Sequence, residues 1–217
     1  MKQHAVTQIY ALDSISYYAT ASISTHGQRT KRSHIQHRSR TMTSQIVFSR
    51  RTWDTSTRRY PTLAFIEKYA QKVDSLDLSG PSYDWYAPSC SFHDTDGTVY
   101  EGGVKIWNWM RQLFGQFKSV QHEITDVLLI TPSGDPSDPE ASGPDTVLLE
   151  AVTNFGLNGG GLGGDNIAAR RKLMFKVGLS ETEGQGTDRL QILEAKAWWD
   201  RTTLLAKLME KKATFEE

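Results

Sequence analysis

The stretch Ser119-Val120-Gln121-His122-Glu123-Ile124-Thr125-Asp126-Val127-Leu128-Leu129-Ile130-Thr131 decides the fold. It reads as one long strand, and what precedes it is helical. Ile106, Met110, Leu113 and Phe117 recur at helical spacing, with Trp107 and Phe114 widening the stripe. Further upstream Pro61 suits the first position of a helix, where its missing N–H costs nothing, and Leu63, Ile66, Ala70 and Val73 repeat at the same spacing. Between the two helices, Gly80-Pro81 breaks the pattern and residues 82–86 read as a short aromatic helix ended by Pro88. Residues 89–93 and 98–101 read as strands joined through Asp94-Thr95-Asp96-Gly97, an Asp-Gly hairpin signal. Downstream the chain stays β, with strands over 147–155, 172–180 and 190–199. The links are a proline-rich loop (132–144), a glycine-rich segment (156–165) and a polar turn (181–188). Asp200 stands where it would cap a closing helix whose Leu204, Leu205, Leu208 and Met209 share a face. Helices first and long hairpin-linked strands afterwards is an α+β order, with the helices packed on one face of an antiparallel sheet.

At 217 residues, of which 38% are hydrophobic, the chain can bury a sizeable core. Lys plus Arg and Asp plus Glu are 25 each, a balance that argues against a dedicated nucleic-acid binder. The single cysteine, Cys90, excludes an internal disulfide and any CxxC metal or redox site. No apolar run approaches the length of a membrane span, so no membrane partner is expected and the expected compartment is the cytoplasm. The charge is unevenly spread. Residues 1–59 hold ten basic residues against Asp13 and Asp54, a local charge of +8, and the remainder is −8. This Ser/Thr/Arg-rich segment shows no sustained periodicity, so 1–59 reads as a disordered basic extension and 60–217 as the folded domain. Mitochondrial targeting by residues 1–41 is the weaker reading, since Lys2 is the only formal cation among the first 28 residues. Met42 is an alternative start.

The hairpin around Asp96-Gly97, the Gly102-Gly103 lead into a helix, His122 early in the next strand and the ending Glu194-Ala195-Lys196-Ala197-Trp198-Trp199-Asp200 together resemble the NTF2-like superfamily. Within it they resemble the SnoaL-like branch of polyketide cyclases and scytalone dehydratase relatives, over roughly residues 60–212. The resemblance implies a cone in which a curved antiparallel sheet wraps around N-terminal helices, with a small hydrophobic ligand in an apolar pocket. It also implies cofactor-free proton transfer (isomerase, cyclase or dehydratase chemistry on a hydrophobic carbonyl metabolite) and a homodimer made through the uncovered sheet face. The competing class is a non-catalytic ligand-binding or dimerisation module, because this fold hosts many functions. The dehydratase pattern is incomplete: the first helix reads Lys68-Tyr69-Ala70-Gln71-Lys72, with no aspartate beside the tyrosine.

Two residues are the catalytic candidates. His122 shares a strand face with Ile124 and can relay a proton near neutral pH; its structural alternative is a hydrogen-bonded core histidine. Asp200 follows two tryptophans, and apolar walls would raise its pKa toward acid/base work; its structural alternative is the helix cap. Tyr83, Trp85, Tyr86, His93, Tyr100, Trp107 and Trp198 are the candidate substrate-binding residues, with core or lid as the other role of the aromatics. Glu150, Asn154, Glu194 and Lys196 interrupt apolar strands, and the outer sheet face is their favoured side. Gly159-Gly160-Gly161-Leu162-Gly163-Gly164 formally satisfies GxGxxG, yet no βαβ repeat surrounds it. No histidine pair has metal-ligand spacing in the ordered region.

Overall fold

Residues 45–50, 53–132, 143–157, 166–180, 182 and 184–202, with 204, 206 and 209, are described in the computed structural model of the chain. Helix α1 (Pro61–Asp74) starts on its proline, and α2 (Gly103–Phe114) follows Gly102. Strands β1 (Gln45–Arg50), β2 (Tyr86–His93), β3 (Val99–Glu101), β4 (Phe117–Thr131), β5 (Asp145–Leu157), β6 (Asn166–Leu179) and β7 (Leu190–Trp199) form one seven-stranded sheet. Its order is β1-β4-β5-β6-β7-β2-β3. Among the described residues, no helix is long and apolar enough to cross a membrane.

The α+β class stands, with three corrections in detail. The sheet is mixed rather than antiparallel throughout, because β2 lies parallel to β7, with Ser91 opposite Glu194 and His93 opposite Lys196. No turn signal marks that pairing, since the two strands are distant in sequence. The folded domain also begins before residue 60. Strand β1 pairs with β4 from Gln45 opposite Thr131 to Arg50 opposite Asp126, and Asp54 and Thr57 close a turn ahead of α1. A long β4 edge leaves unpaired backbone groups, and β1 satisfies them. The rest of the expected extension, 1–44 with 51 and 52, lies outside the described residues. Finally, residues 82–84 form a single 3-10 turn, and Pro88 sits inside β2 instead of ending a helix.

Alternation sorts the long strands. On β6, Ile167, Ala169, Leu173, Phe175 and Val177 are buried, and on β5 so are Val147, Leu149, Ala151 and Phe155. These inward positions face α1 and α2, whose Leu63, Phe65, Ile66, Ile106, Trp107 and Phe114 complete one core. Register shifts between Phe117 and Ser119, Ile124 and Asp126, and Lys176 and Val177 bend the strands around it. The outer face carries paired charges. Glu150 meets its cross-strand neighbour Lys172 at 2.9 Å, Glu194 meets Lys176 and Lys196, and Asn154 donates to Glu123. Glu150, Asn154, Glu194 and Lys196 are therefore outside. Gly156 and Leu157 of the glycine-rich segment end β5 and residues 158–165 lie outside the described residues, but the strands the segment links, β5 and β6, are antiparallel neighbours. A dinucleotide site would need parallel ones.

Gly102 and Gly103 bring α2 onto β2. Gly102 has φ +91°, and a Cβ on Gly103 would sit 2.9 Å from the Ala87 carbonyl oxygen and from the Tyr86 Cβ. Backbone cannot yield as a flexible side chain would. Gly103→Ala should therefore cost about 1–3 kcal/mol, the usual range for overpacking, seen as a lower urea midpoint at unchanged slope.

Candidate functional site

The last residue of α1 is Asp74, and its carboxylate takes both N–H groups that His122 offers. The His122 backbone N–H donates to Oδ2 at 3.1 Å and Nδ1–H donates to Oδ1 at 2.5 Å. On the other side of the ring, Arg171 Nη1 approaches Nε2 at 3.3 Å. A carboxylate only accepts and a guanidinium only donates. An imidazole held between them is neutral, protonated on Nδ1, with its lone pair on Nε2. That contact from Arg171 is long, so the lone pair is lightly engaged.

Burial drives the His122 pKa below its ordinary value; the bond from Asp74 opposes this and the charge of Arg171 adds to it. The side chain is 7% exposed against 27% for Asp74, which is why desolvation outweighs the bond. Beside this group Tyr69 and Tyr86 share a hydroxyl–hydroxyl bond of 2.5 Å and an edge-on ring contact. Burial pushes Tyr69 up to about 12 and Tyr86 well above its usual value, so both stay protonated. The Cys90 thiol is likewise pushed up to about 12, mainly by burial, which leaves it inert.

Tyr69, His122 and Arg171 line a cavity of about 40 Å³ whose other walls include Ile66, Val73, Met110, Phe114 and Leu173. That space suits a water or two. Strand alternation explains who reaches it: Val120, His122 and Ile124 share the inner side of β4, and Arg171 falls in the inward series of β6.

His122 is thus inside, and Asp200 is not. Trp199 points inward, so the next residue turns away, and the exposed Asp200 carboxylate accepts from the Thr202 backbone N–H at 2.8 Å. That bond first, then the Thr202 side chain, lowers its pKa rather than raising it. Asp200 instead borders an open groove with Arg170, Lys172 and Trp198 on the outer face. The two catalytic candidates do not share a cavity.

The aromatic candidates are dispersed as well. Tyr86 is buried and touches the cavity only through Tyr69, while Trp85 packs on Phe65 and Tyr69. Trp107 is buried and donates to the Gly80 carbonyl at 2.8 Å, a core role. Tyr100 stacks on Trp109, and His93 sits half-buried against Ser91. Tyr83 and Trp198 are exposed. Asp74, Tyr69 and Arg171 were absent from the sequence candidates. For Arg171 a signal existed, since extending the Val177, Phe175, Leu173 alternation backward makes residue 171 an inward position.

No protein-family model and no curated protein matches the chain. Solved structures similar to it include one described as a SnoaL-like polyketide cyclase from Shewanella putrefaciens, with 14% identity over 70% of this chain and 98% of that one, TM-score 0.47. PrhC from Penicillium brasilianum shares 11% identity over 70% of this chain and 89% of its own, TM-score 0.48. A Catenulispora acidiphila protein with a ketosteroid isomerase-like fold, solved with trimethylamine, shares 15% over 65% and 89%, TM-score 0.42.

A depressed histidine pKa has a definite sign in stability. The unfolded chain binds the His122 proton near the ordinary value of 6.5, whereas the folded chain binds it only at lower pH. Stability is then full above that value and falls as pH drops toward the folded value, by at most about 1.4 kcal/mol per pH unit. Urea titrations between neutral pH and pH 5 should show this loss, and His122→Gln should flatten it.

Proposed function

We propose that the chain is a cofactor-independent proton-transfer enzyme, an isomerase, cyclase or dehydratase acting on a small hydrophobic carbonyl compound. The observation that carries this reading is the neutral His122, anchored through Nδ1 on Asp74 and bordering an apolar cavity with Tyr69 and Arg171. Nε2 is the base: it takes a proton from the carbon next to the carbonyl, and the C–H electron pair moves into an enolate. Tyr69 O–H and the Arg171 guanidinium are the donors for the oxygen on which that charge gathers. The proton then returns from His122 to a different carbon, or to a departing hydroxyl that leaves as water. Asp74 is a positioning residue, since it holds the ring in the tautomer that exposes Nε2.

The volume of the cavity favours a second reading. Space of about 40 Å³ admits no polyketide-sized guest without rearrangement of its walls, and in that reading Asp74, His122 and Arg171 merely clamp α1 to the sheet. Deuterium wash-in separates the two. Small cyclic ketones incubated with the full chain in D₂O should exchange their α-hydrogens. His122→Ala should slow exchange by about 10²-fold or more. Asp74→Asn should also lower the rate and move the acidic limb of the pH profile downward, because the Asp74 bond raises the His122 pKa. Asp200→Asn should leave exchange unchanged. Equal exchange in wild type and His122→Ala would leave only the structural clamp.

A further inference from the structure

We infer that the guest of this cavity brings its own negative charge: a small apolar carboxylic acid, bound ionised, with its carboxylate on the Arg171 guanidinium. The inference rests on the preceding reading of the cavity as a ligand site and adds the chemical class of the ligand. Arg171 is 7% exposed and lines the cavity. A guanidinium taken out of water needs a counter-charge or a full set of acceptors. Among the described residues it has no carboxylate within ion-pair reach. Its partners are the neutral Nε2 of His122 at 3.3 Å and the face of Trp199 at 5.1 Å, and its Nε has no hydrogen-bond partner. Asp74 does not fill the gap, being engaged twice by His122 from the opposite edge of the imidazole.

Arg201 shows what a satisfied arginine looks like in this chain. It approaches the same indole at 5.3 Å, is more exposed, and still holds Asp94 at 3.2 Å and Asp96 at 2.8 Å. The more deeply buried cation is the one without an acid. A second orphan lies close by in the sheet. Thr153, opposite His122 on β5, is fully buried and its hydroxyl has no partner among the described residues. A carboxylate would accept from the planar guanidinium fork, and the apolar walls select the body of the acid.

Calorimetry on the full chain at neutral pH tests this with acetate and propionate, the sizes nearest to the cavity, against acetamide and propionamide, pairs alike in shape and different in charge. Each acid should bind wild type roughly ten- to a hundredfold more tightly than its amide, the scale of a charged hydrogen-bonded contact. Arg171→Met should bring acid and amide within about twofold, and its unliganded melting temperature should be equal or higher, since a buried unpaired charge is gone. Should that variant fail to fold, Arg171→Lys keeps the charge without the fork and should retain only part of the preference. Equal binding of acid and amide by wild type, no binding of either acid at millimolar concentration, or an undiminished preference in a folded Arg171 variant each overturns the inference. Acid binding with no ketone exchange would sink the catalytic reading alone, and ketone exchange without acid preference would sink this one alone.

Discussion

A carboxylate on the last residue of a helix faces the negative end of the helix dipole, an unfavourable place for it. Asp74 is held there because His122 offers it two N–H donors from an adjacent strand. The arrangement fixes more than a contact. It ties the end of α1 to β4, sets which nitrogen of the imidazole carries the proton, and determines which edge of the ring meets Arg171. Removing the carboxylate would leave a buried Nδ1–H unpaired, a loss of about 1–3 kcal/mol, and would free the ring to adopt either tautomer.

Around that clamp the inner face of the sheet divides by polarity. Toward Val177 and Ile192 it is apolar, whereas His122, Thr153 and Arg171 cluster on three consecutive strands. Tyr69 and Tyr86 extend the polar group from the helix and from β2, bonded to each other within a shell of Trp85, Trp107 and Phe175. The same desolvation acts in opposite directions on these groups. It lifts the tyrosines, so they remain donors, and depresses the histidine, so it remains an acceptor. Burial thus sets protonated hydroxyls beside an unprotonated imidazole, the two protonation states that the proposed chemistry requires.

The legible and illegible parts of the fold differ for physical reasons. Helix α1, the Asp-Gly hairpin and the long strands announce themselves through local periodicity and turn chemistry, which act over a few residues. The β2–β7 pairing joins distant segments in parallel and leaves no turn to read. Strand β1 hides in a basic, hydroxyl-rich segment whose charge suggests a solvated tail, though Ile46-Val47-Phe48 has the strand composition. Within the site, His122 was readable from alternation. Asp74 was not, because a polar residue at a helix end is ordinarily solvated, and only the tertiary fold brings β4 to it. Arg171 was missed by starting the strand at residue 172 when β6 begins at Asn166, because three cations in a row, Arg170-Arg171-Lys172, look like surface. Asp200 was misleading for the complementary reason: two tryptophans precede it, but only Trp199 is buried, while Trp198 is exposed.

Trp199 explains why the charges of this region do not simply cancel. Its ring has Arg171 near it at 5.1 Å and Arg201 at 5.3 Å. The carboxylates of Asp94 and Asp96, held on the hairpin between β2 and β3, reach Arg201. On Arg171, Asp94 acts only through space. The hairpin cannot deliver a carboxylate further inward, because β2 is fixed beside β7 and Thr95 is bonded to the Ala197 carbonyl and the Trp199 N–H. The fold therefore compensates the outer guanidinium and leaves the inner one facing an apolar cavity with a neutral base at its side. Replacing a buried charge with a hydrophobic residue of similar volume is often neutral or stabilising, and the anionic guest proposed above would give this arginine the counter-charge that the fold withholds.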